Sequence, residues 1–455
     1  MKDGNTLLGG VIEGFYGRPW SQEQRMELFP RMAAWGLDTY VYGPKDDLKL
    51  RAEWRSLYSA DEEAALRMLF GACLRAGLQV NYAIAPGLDM NYADPADTEA
   101  LHRKVRQLIG LGVRDFTLLF DDIPPDLPEA ARHMFRSFAH AQYSVANDLL
   151  DFIRHESPEA RLWFCPTEYC DRRSVPNAAT SPYLSELGEH LHPDIDVFWT
   201  GPEIVSETIS VEDARRVGKV LRRKPLIWDN FHANDYDIRR VYLGPLAGRD
   251  PGLTSVIRGI ISNPNCEFEA NFIPLYTLGL YLADPSNYEP AAAYAHGLEE
   301  WLPRFALHEG DHLTLEEVRL LGDLHYLPFQ AGEQAGLILE LSQAVLDGAK
   351  PSPGSPELLQ LGDLAKRVST LFERLTHLEN RELLHAVYEY MWEANEEVSL
   401  LHGYAAARAE GRERSFRQPD PVPNTYRGGL AAEIQRRLPL EKGLITYRRP
   451  AGHGD

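Results

Sequence analysis

Cysteine is scarce: the chain holds four in 455 residues, Cys73, Cys165, Cys170 and Cys266. None forms a C-x-x-C pair, so the pattern is not a disulfide scaffold and favours a reduced compartment. The five-residue step from Cys165 to Cys170 is weak support for a metal site. Basic charge is also in short supply, with 47 Lys and Arg against 67 Asp and Glu, a formal net of −20. Nucleic-acid binders concentrate cations, and anionic membranes attract them, so neither partner is expected. No uninterrupted apolar run approaches the ~18 residues of a membrane span. The stretch Met1–Gly10 has no apolar core followed by a cleavage site. These absences lead to the expectation of a soluble, cytoplasmic, non-secreted protein. No Ser-His-Asp order, phosphate-binding loop or dinucleotide glycine motif is present.

What is there is globular: 44% hydrophobic and 25% charged residues, neither disordered nor fibrous. The first part alternates short apolar runs with longer helical patterns. The runs are 7–13, 39–43, 80–85, 116–120, 162–166, 196–200, 226–229 and 257–262. Most are continuously apolar, as strands buried on both faces of a parallel sheet are. Helical patterns lie between them at 22–35, 61–76, 98–111, 129–155 and 211–222. Eight such repeats in about 280 residues predict an α/β fold, a (β/α)8 TIM barrel. Nearly every run ends in a polar or glycine-bearing cluster, where barrel enzymes place their chemistry.

The second part turns all-α, and a helical bundle is expected after the barrel. Leu361, Leu364, Val368, Leu371, Leu375 and Leu378 form one narrow apolar stripe; Val387, Met391, Ala394, Val398, Leu401 and Ala405 form another. Both have heptad spacing. They fit helices packed on each other and on the barrel, or a dimer interface or cleft wall. The break near 377–382 is either a hairpin turn or a phase shift. Residues 350–356 read as a linker. The expected division is 1–285 for a catalytic barrel, 286–410 for helices serving dimerisation and the cleft wall, and 411–455 for a tail, poorly ordered unless it docks.

Asp121 and Asp122 close the fourth run. Repulsion and desolvation are expected to raise at least one of their pKa values. That would set a protonated acid beside a carboxylate, as glycosidases require. The pair also fits a helix cap with a first-turn carboxylate, or a site for a hard cation. Phe15, Tyr16, Tyr169, Trp199, Trp228 and Tyr236 are candidate platforms for a sugar, beside Asn230, Asp235, Asn263 and Asn265. For any one aromatic core packing is the favoured reading; for the set at strand ends the sugar platform is. Lys45 fits an ion pair with Asp46 or Asp47, or a donor to a substrate hydroxyl. His232 reads as a structural residue before a general base.

The segment Gly10-Val-Ile-Glu-Gly-Phe-Tyr-Gly-Arg-Pro-Trp20 resembles the opening of glycoside hydrolase family 84. That family includes protein O-GlcNAc hydrolases and bacterial β-N-acetylglucosaminidases. The resemblance continues in Tyr42-Gly-Pro-Lys-Asp-Asp47, Tyr82-Ala-Ile-Ala-Pro-Gly-Leu-Asp89, Leu118-Leu-Phe-Asp-Asp-Ile123 and Phe164-Cys-Pro-Thr-Glu-Tyr-Cys170. It extends through Trp199-Thr-Gly-Pro202, Ile227-Trp-Asp-Asn-Phe-His-Ala-Asn-Asp-Tyr236 and Asn263-Pro-Asn-Cys-Glu-Phe-Glu-Ala-Asn271. It is nearer to the eukaryotic members than to the secreted bacterial ones.

The resemblance implies a retaining, substrate-assisted exo-β-N-acetylglucosaminidase in which the 2-acetamido oxygen attacks C1 and forms an oxazoline. Asp121 would polarise the acetamido N–H. Asp122 would protonate the leaving oxygen and then deprotonate water. Gly14, Lys45, Asp235 and Asn263 would hold sugar hydroxyls, with Asn230 near the acetamido group. Tyr169 would bond the acetamido oxygen, and Cys165 and Trp228 would line the methyl pocket. No cofactor and no metal are implied. The expected partner is a terminal β-linked GlcNAc, on Ser or Thr of a protein or peptide, and a homodimer is expected. Small glycosides, peptidoglycan fragments and hyaluronan-like polymers are alternative substrates. A silent glycan-binding protein and a metal-dependent enzyme are rival classes.

Overall fold

The computed structural model describes residues 7–127, 129–347, 350–416 and 427–438. They fall into two compact units. One joins the chain up to Asp235 with Pro245–Tyr294; the other joins Tyr236–Gly244 with the chain from Ala295 onward.

The first unit is a closed parallel barrel of eight strands in sequence order. They are β1 (Leu8–Ile12), β2 (Thr39–Tyr42), β3 (Gln79–Ile84), β4 (Asp115–Leu119), β5 (Leu162–Cys165), β6 (Asp196–Trp199), β7 (Leu226–Asp229) and β8 (Gly259–Ser262). Closure comes from β1 pairing with both β2 and β8, Gly10 standing opposite Thr39 on one side and Ile261 on the other. All eight apolar runs are therefore strands, buried on both faces as continuous apolar sequence requires.

Helices α1 (Gln22–Ala34), α2 (Ala60–Arg75), α3 (Pro95–Gly110), α4 (Phe138–Glu156), α5 (Pro182–His190) and α6 (Val211–Leu221) follow the first six strands, and α7 (Phe272–Ala283) follows β8. Local chemistry sets their starts. Ser21 with Gln24, Ser59 with Glu62, and Ser210 with Asp213 form capping boxes for α1, α2 and α6, each satisfying two backbone donors that a helix end leaves unpaired. Two expectations need correction. The fourth helix begins at Phe138, because Ser137 accepts the His140 N–H as its cap, and residues 129–131 make only a short 3-10 turn. No α-helix joins β7 to β8. That connection carries Gly244-Pro245 and Asp250-Pro251-Gly252, residues that break helices.

The helical region begins with α8 (Pro290–Trp301), which the unit boundary divides. The second unit contains α9 (Leu315–Leu324), α10 (Glu333–Leu346), α11 (Pro356–Leu375), α12 (Arg381–Ala409) and α13 (Gly429–Arg437). The break between the stripes is a hairpin turn: Asn380 caps α12 by accepting from the Leu383 N–H. Leu361, Leu364, Val368, Leu371 and Leu375 of α11 and Val387, Met391, Ala394, Val398, Leu401 and Ala405 of α12 are all buried. The two helices pack on each other, and Ser369 donates to Asn395 at 2.6 Å across the pair. The stripes are thus used inside the unit. Of the expected tail, 417–426 and 439–455 lie outside the described residues. The part at 427–438 carries α13, which buries Leu430, Ala431 and Ile434. Among the described residues no helix is long and apolar enough to cross a membrane.

Candidate active site

β4 is the buried run Asp115-Phe-Thr-Leu-Leu119, and Phe120 follows it buried. The next two residues are the carboxylates. Asp122 has φ +51°, a left-handed conformation that costs a non-glycine residue about 1–2 kcal/mol. Strain of this kind persists where the surroundings determine it, and it gathers at functional sites. It gives the adjacent carboxylates different surroundings.

Asp121 faces inward. Its Oδ2 accepts from Lys45 Nζ at 2.8 Å, and the two side chains are 10% and 3% exposed. Lys45 is carried by the loop after β2 and pairs with neither Asp46 nor Asp47. The Asp47 carboxylate accepts from the Tyr42 and Tyr58 hydroxyls instead. Burial pushes the Asp121 carboxyl upward, but the attraction and hydrogen bond of Lys45 outweigh it, and Asp121 ends below the ordinary carboxylate range. The expected upward shift therefore does not occur at Asp121. Its other oxygen, Oδ1, is buried and accepts no hydrogen bond among the described residues. An unsatisfied buried acceptor is costly unless a donor reaches it during function.

Asp122 faces the rim. Its side chain is 33% exposed. Oδ1 accepts from the Tyr169 hydroxyl at 2.9 Å, and Oδ2 accepts from the Tyr16 hydroxyl at 3.2 Å. Arg173 lies 3.4 Å from Oδ1. Arg51 donates to the Tyr16 hydroxyl at 2.6 Å and to the Asp122 carbonyl at 3.5 Å.

The remaining candidates form a connected wall. The Gly14 N–H donates to Asn263 Oδ1 at 3.1 Å. Asn263 Nδ2 and Trp228 Nε1 both donate to Asn230 Oδ1, at 2.9 and 2.8 Å. Asn230 gives one of its own N–H groups to the Ile204 carbonyl at 2.8 Å. Three of its four hydrogen bonds are spent on protein, so it orients Trp228 and Asn263 and keeps one donor. A Cβ on Gly14 would fall 2.4 Å from the Trp228 ring, so only glycine lets this backbone approach the indole. Lys45 Nζ stands 6.0 Å from the Trp228 ring and 5.7 Å from the Tyr16 ring. Asp235 accepts the Tyr16 backbone N–H at 2.8 Å. Cys165 ends β5, buried, and burial followed by the nearby carboxylates pushes its thiol well above the ordinary range. It stays a neutral thiol, which suits an apolar pocket wall.

Phe15 is buried with its ring 5.5 Å from Trp20, and Trp199 is buried in β6, so neither offers a face to a sugar. Tyr236 belongs to the second unit and is exposed, its hydroxyl bonded to that of Tyr242 at 3.0 Å. Asn265 bonds Asn271 through both backbone and side chain. His232 is buried against Phe231. Two residues escaped the sequence reading, Arg51 and Arg173. Their only signal was position, six residues after Lys45 and four after Tyr169, and a loop arginine usually reads as surface. Among the described residues no group of three or more His, Cys, Asp or Glu is placed to hold a metal ion.

A beta-N-acetylglucosaminidase family model matches residues 9–312. The chain belongs to the beta-N-acetylglucosaminidase family. The carboxylate pair and its wall lie within this match. Mouse protein O-GlcNAcase is 48% identical over 281 residues, 62% of this chain and 30% of the mouse protein. The rat protein O-GlcNAcase is 47% identical over the same shares. The chain thus spans about 30% of the length of these curated relatives. Among solved structures, a point mutant of an O-GlcNAc hydrolase from Thermobaculum terrenum superposes with a TM-score of 0.76 at 27% identity. That match covers 90% of this chain and 89% of the other, so this beta-N-acetylglucosaminidase family member shares both barrel and helical region with it.

Proposed function

We propose that the protein is a retaining exo-β-N-acetylglucosaminidase that removes O-linked GlcNAc from Ser or Thr of proteins, using the substrate's own acetamido group as nucleophile. One observation carries the reading: Asp121 is an ionised, buried carboxylate with one oxygen on Lys45 and the other without a donor among the described residues. The N–H of a 2-acetamido group suits that oxygen. Accepting it strengthens the acetamido oxygen as a nucleophile toward C1 and stabilises the positive charge that develops as the oxazoline forms. No enzymic nucleophile is then needed. This accounts for two carboxylates that adjoin, where an ordinary retaining enzyme sets them facing each other across the bond.

Asp122 takes the proton-transfer role. It is more exposed than Asp121 and carries two phenols that aim its carboxylate. It gives a proton to the leaving oxygen and takes one from the incoming water. The Tyr169 hydroxyl has a single proton to donate, so binding the acetamido oxygen requires it to leave Asp122. Trp228 and Cys165 enclose the acetyl methyl. Gly14, Lys45, Asp235 and Asn263 hold the sugar hydroxyls, with Asn230 bracing them.

The protein-level substrate is supported by the likeness to protein O-GlcNAcases. The test compares kcat/KM on a GlcNAc-modified peptide with that on an aryl β-GlcNAc, with and without a thiazoline mimic of the oxazoline. The expected result is turnover of both, with strong inhibition by the thiazoline and no effect of chelators. Aryl turnover without peptide turnover would sink the protein substrate. Loss of activity with EDTA, restored by Mg²⁺, would sink the mechanism.

A further inference from the structure

The hydrolase reading assigns every group around Asp121 but leaves two cations beside Asp122 unused. If Asp122 protonates the leaving oxygen, the sugar ring lies on the side of Lys45, Asp121 and Trp228. The atoms beyond the leaving oxygen then pass outward over whatever surrounds Asp122. Burial supports that direction: Lys45 and Asp121 are 3% and 10% exposed, whereas Arg173 is 48% and the Tyr16 residue 45% exposed.

Arg173 lies 3.4 Å from Asp122 Oδ1, with its guanidinium 5.6 Å from the Tyr169 ring. Among the described residues Arg51 bonds a phenol and a carbonyl, at 2.6 and 3.5 Å, and no carboxylate. Lys45 is neutralised by Asp121. Asp235, also nearby, faces the backbone side of Tyr16. When Asp122 holds the proton it delivers, Arg173 loses its carboxylate, and Arg51 has none among the described residues. Each guanidinium keeps N–H donors in a planar fork that matches a carboxylate.

We propose that Arg51 and Arg173 form a cationic rim that selects leaving groups bearing a carboxylate, in a protein substrate an acidic segment beside the GlcNAc-bearing residue. This rests on the hydrolase reading. Exposed ion pairs are individually weak, so the preference expected from two of them is about three- to tenfold in kcat/KM.

The test uses two aryl β-GlcNAc substrates whose phenols have matched acidity, one bearing a carboxylate and one a neutral amide. The full-length protein should favour the carboxylate in low salt and lose most of the preference in about 0.5 M salt, where the Debye length is a few ångströms. Arg173→Ala and Arg51→Ala should each lower the charged-to-neutral ratio, and Arg173→Lys should restore part of it. A merely structural role would slow both substrates alike and leave the ratio unmoved. A ratio of one in the native protein, or one unchanged in both alanine variants, overturns the proposal while leaving the hydrolase intact. Failure to cleave either substrate overturns the hydrolase reading and this one together. Glycopeptides with Asp or Glu flanks should outrun those with Lys flanks. Equal peptide rates beside faster cleavage of a GlcNAc–uronic acid disaccharide would overturn the acidic-peptide assignment.

Discussion

Replacing Lys45 by Met removes one charge and keeps most of the side-chain volume. The ion pair it breaks spans 2.8 Å between side chains 3% and 10% exposed. At an effective dielectric near 20 the attraction is about 6 kcal/mol. Desolvation of the two ions opposes it, and the outcome is visible at both partners. Burial raises the Asp121 carboxyl but Lys45 carries it below the ordinary range. Burial lowers the Lys45 ammonium but Asp121 carries it above the ordinary range. Without Lys45 the burial of Asp121 remains as the largest influence, eased by Arg51 and a backbone hydrogen bond, and its pKa should rise above the ordinary value.

The two proteins should then respond to pH with opposite sign. In the native protein the depressed Asp121 pKa contributes stability above the unfolded value near 4, lost as pH falls through the folded value. In Lys45→Met the folded value lies above the unfolded one, so stability falls as pH rises between the two. Leaving one partner of a buried pair alone costs about 3–5 kcal/mol. That deficit should be present at pH 8 and shrink toward pH 4. Activity gives the sharper reading. With a dinitrophenyl β-GlcNAc, whose leaving group needs no acid, the low-pH limb of kcat/KM reports Asp121. The limb should lie below about pH 4 in the native protein and move upward in the variant. An unmoved limb, with the same stability deficit at pH 5 and pH 8, would refute the assignment of Asp121 as the ionised, Lys45-supported group.

Asp122→Ala should slow a poor alkyl leaving group by about 10²–10⁴-fold and a dinitrophenyl group far less; equal loss on both would remove it as the acid. Asp121→Asn should slow both substrates alike, by about 10²–10³-fold, as loss of a transition-state partner does. Gly14→Ala sets a methyl 2.4 Å from the Trp228 ring, and the resulting overpacking, about 1–3 kcal/mol, should appear chiefly as a raised KM. Asp229→Ala strands Arg249, whose Nη2 lies 2.6 Å from Asp229 Oδ1 with both side chains 1–2% exposed. It should destabilise the barrel by about 3–5 kcal/mol, measured as earlier urea unfolding.

Barrel strands are legible because parallel strands buried on both faces must be apolar throughout. The run 116–120 could hardly be anything else, and its closing carboxylates drew attention for the same reason. The helix after it starts later than composition suggests, since 129–137 is polar enough to look helical and only the Ser137 hydroxyl accepting the His140 N–H decides the start. The heptad stripes are buried as their spacing requires, but periodicity carries no information on whether the covering surface belongs to the same chain. Arg51 and Arg173 were invisible because nothing local distinguishes a loop arginine facing Asp122 from one facing water.

Sequence alone determined the barrel, the adjoining carboxylates at the end of β4 and the residue types around them. Those follow from burial and strand period, which act over a few residues. Tertiary structure decided how the two aspartates divide. Lys45 lies 76 positions from Asp121, and Tyr16 lies 106 from Asp122, distances along the chain that no local pattern encodes. Closure of the barrel brings the ends of β1, β2, β4 and β5 to one rim. There an ammonium holds Asp121 ionised, and phenols and guanidiniums surround Asp122. The charge state of a carboxylate is a property of what stands within a few ångströms of it, and here almost all of that arrives from elsewhere in the chain.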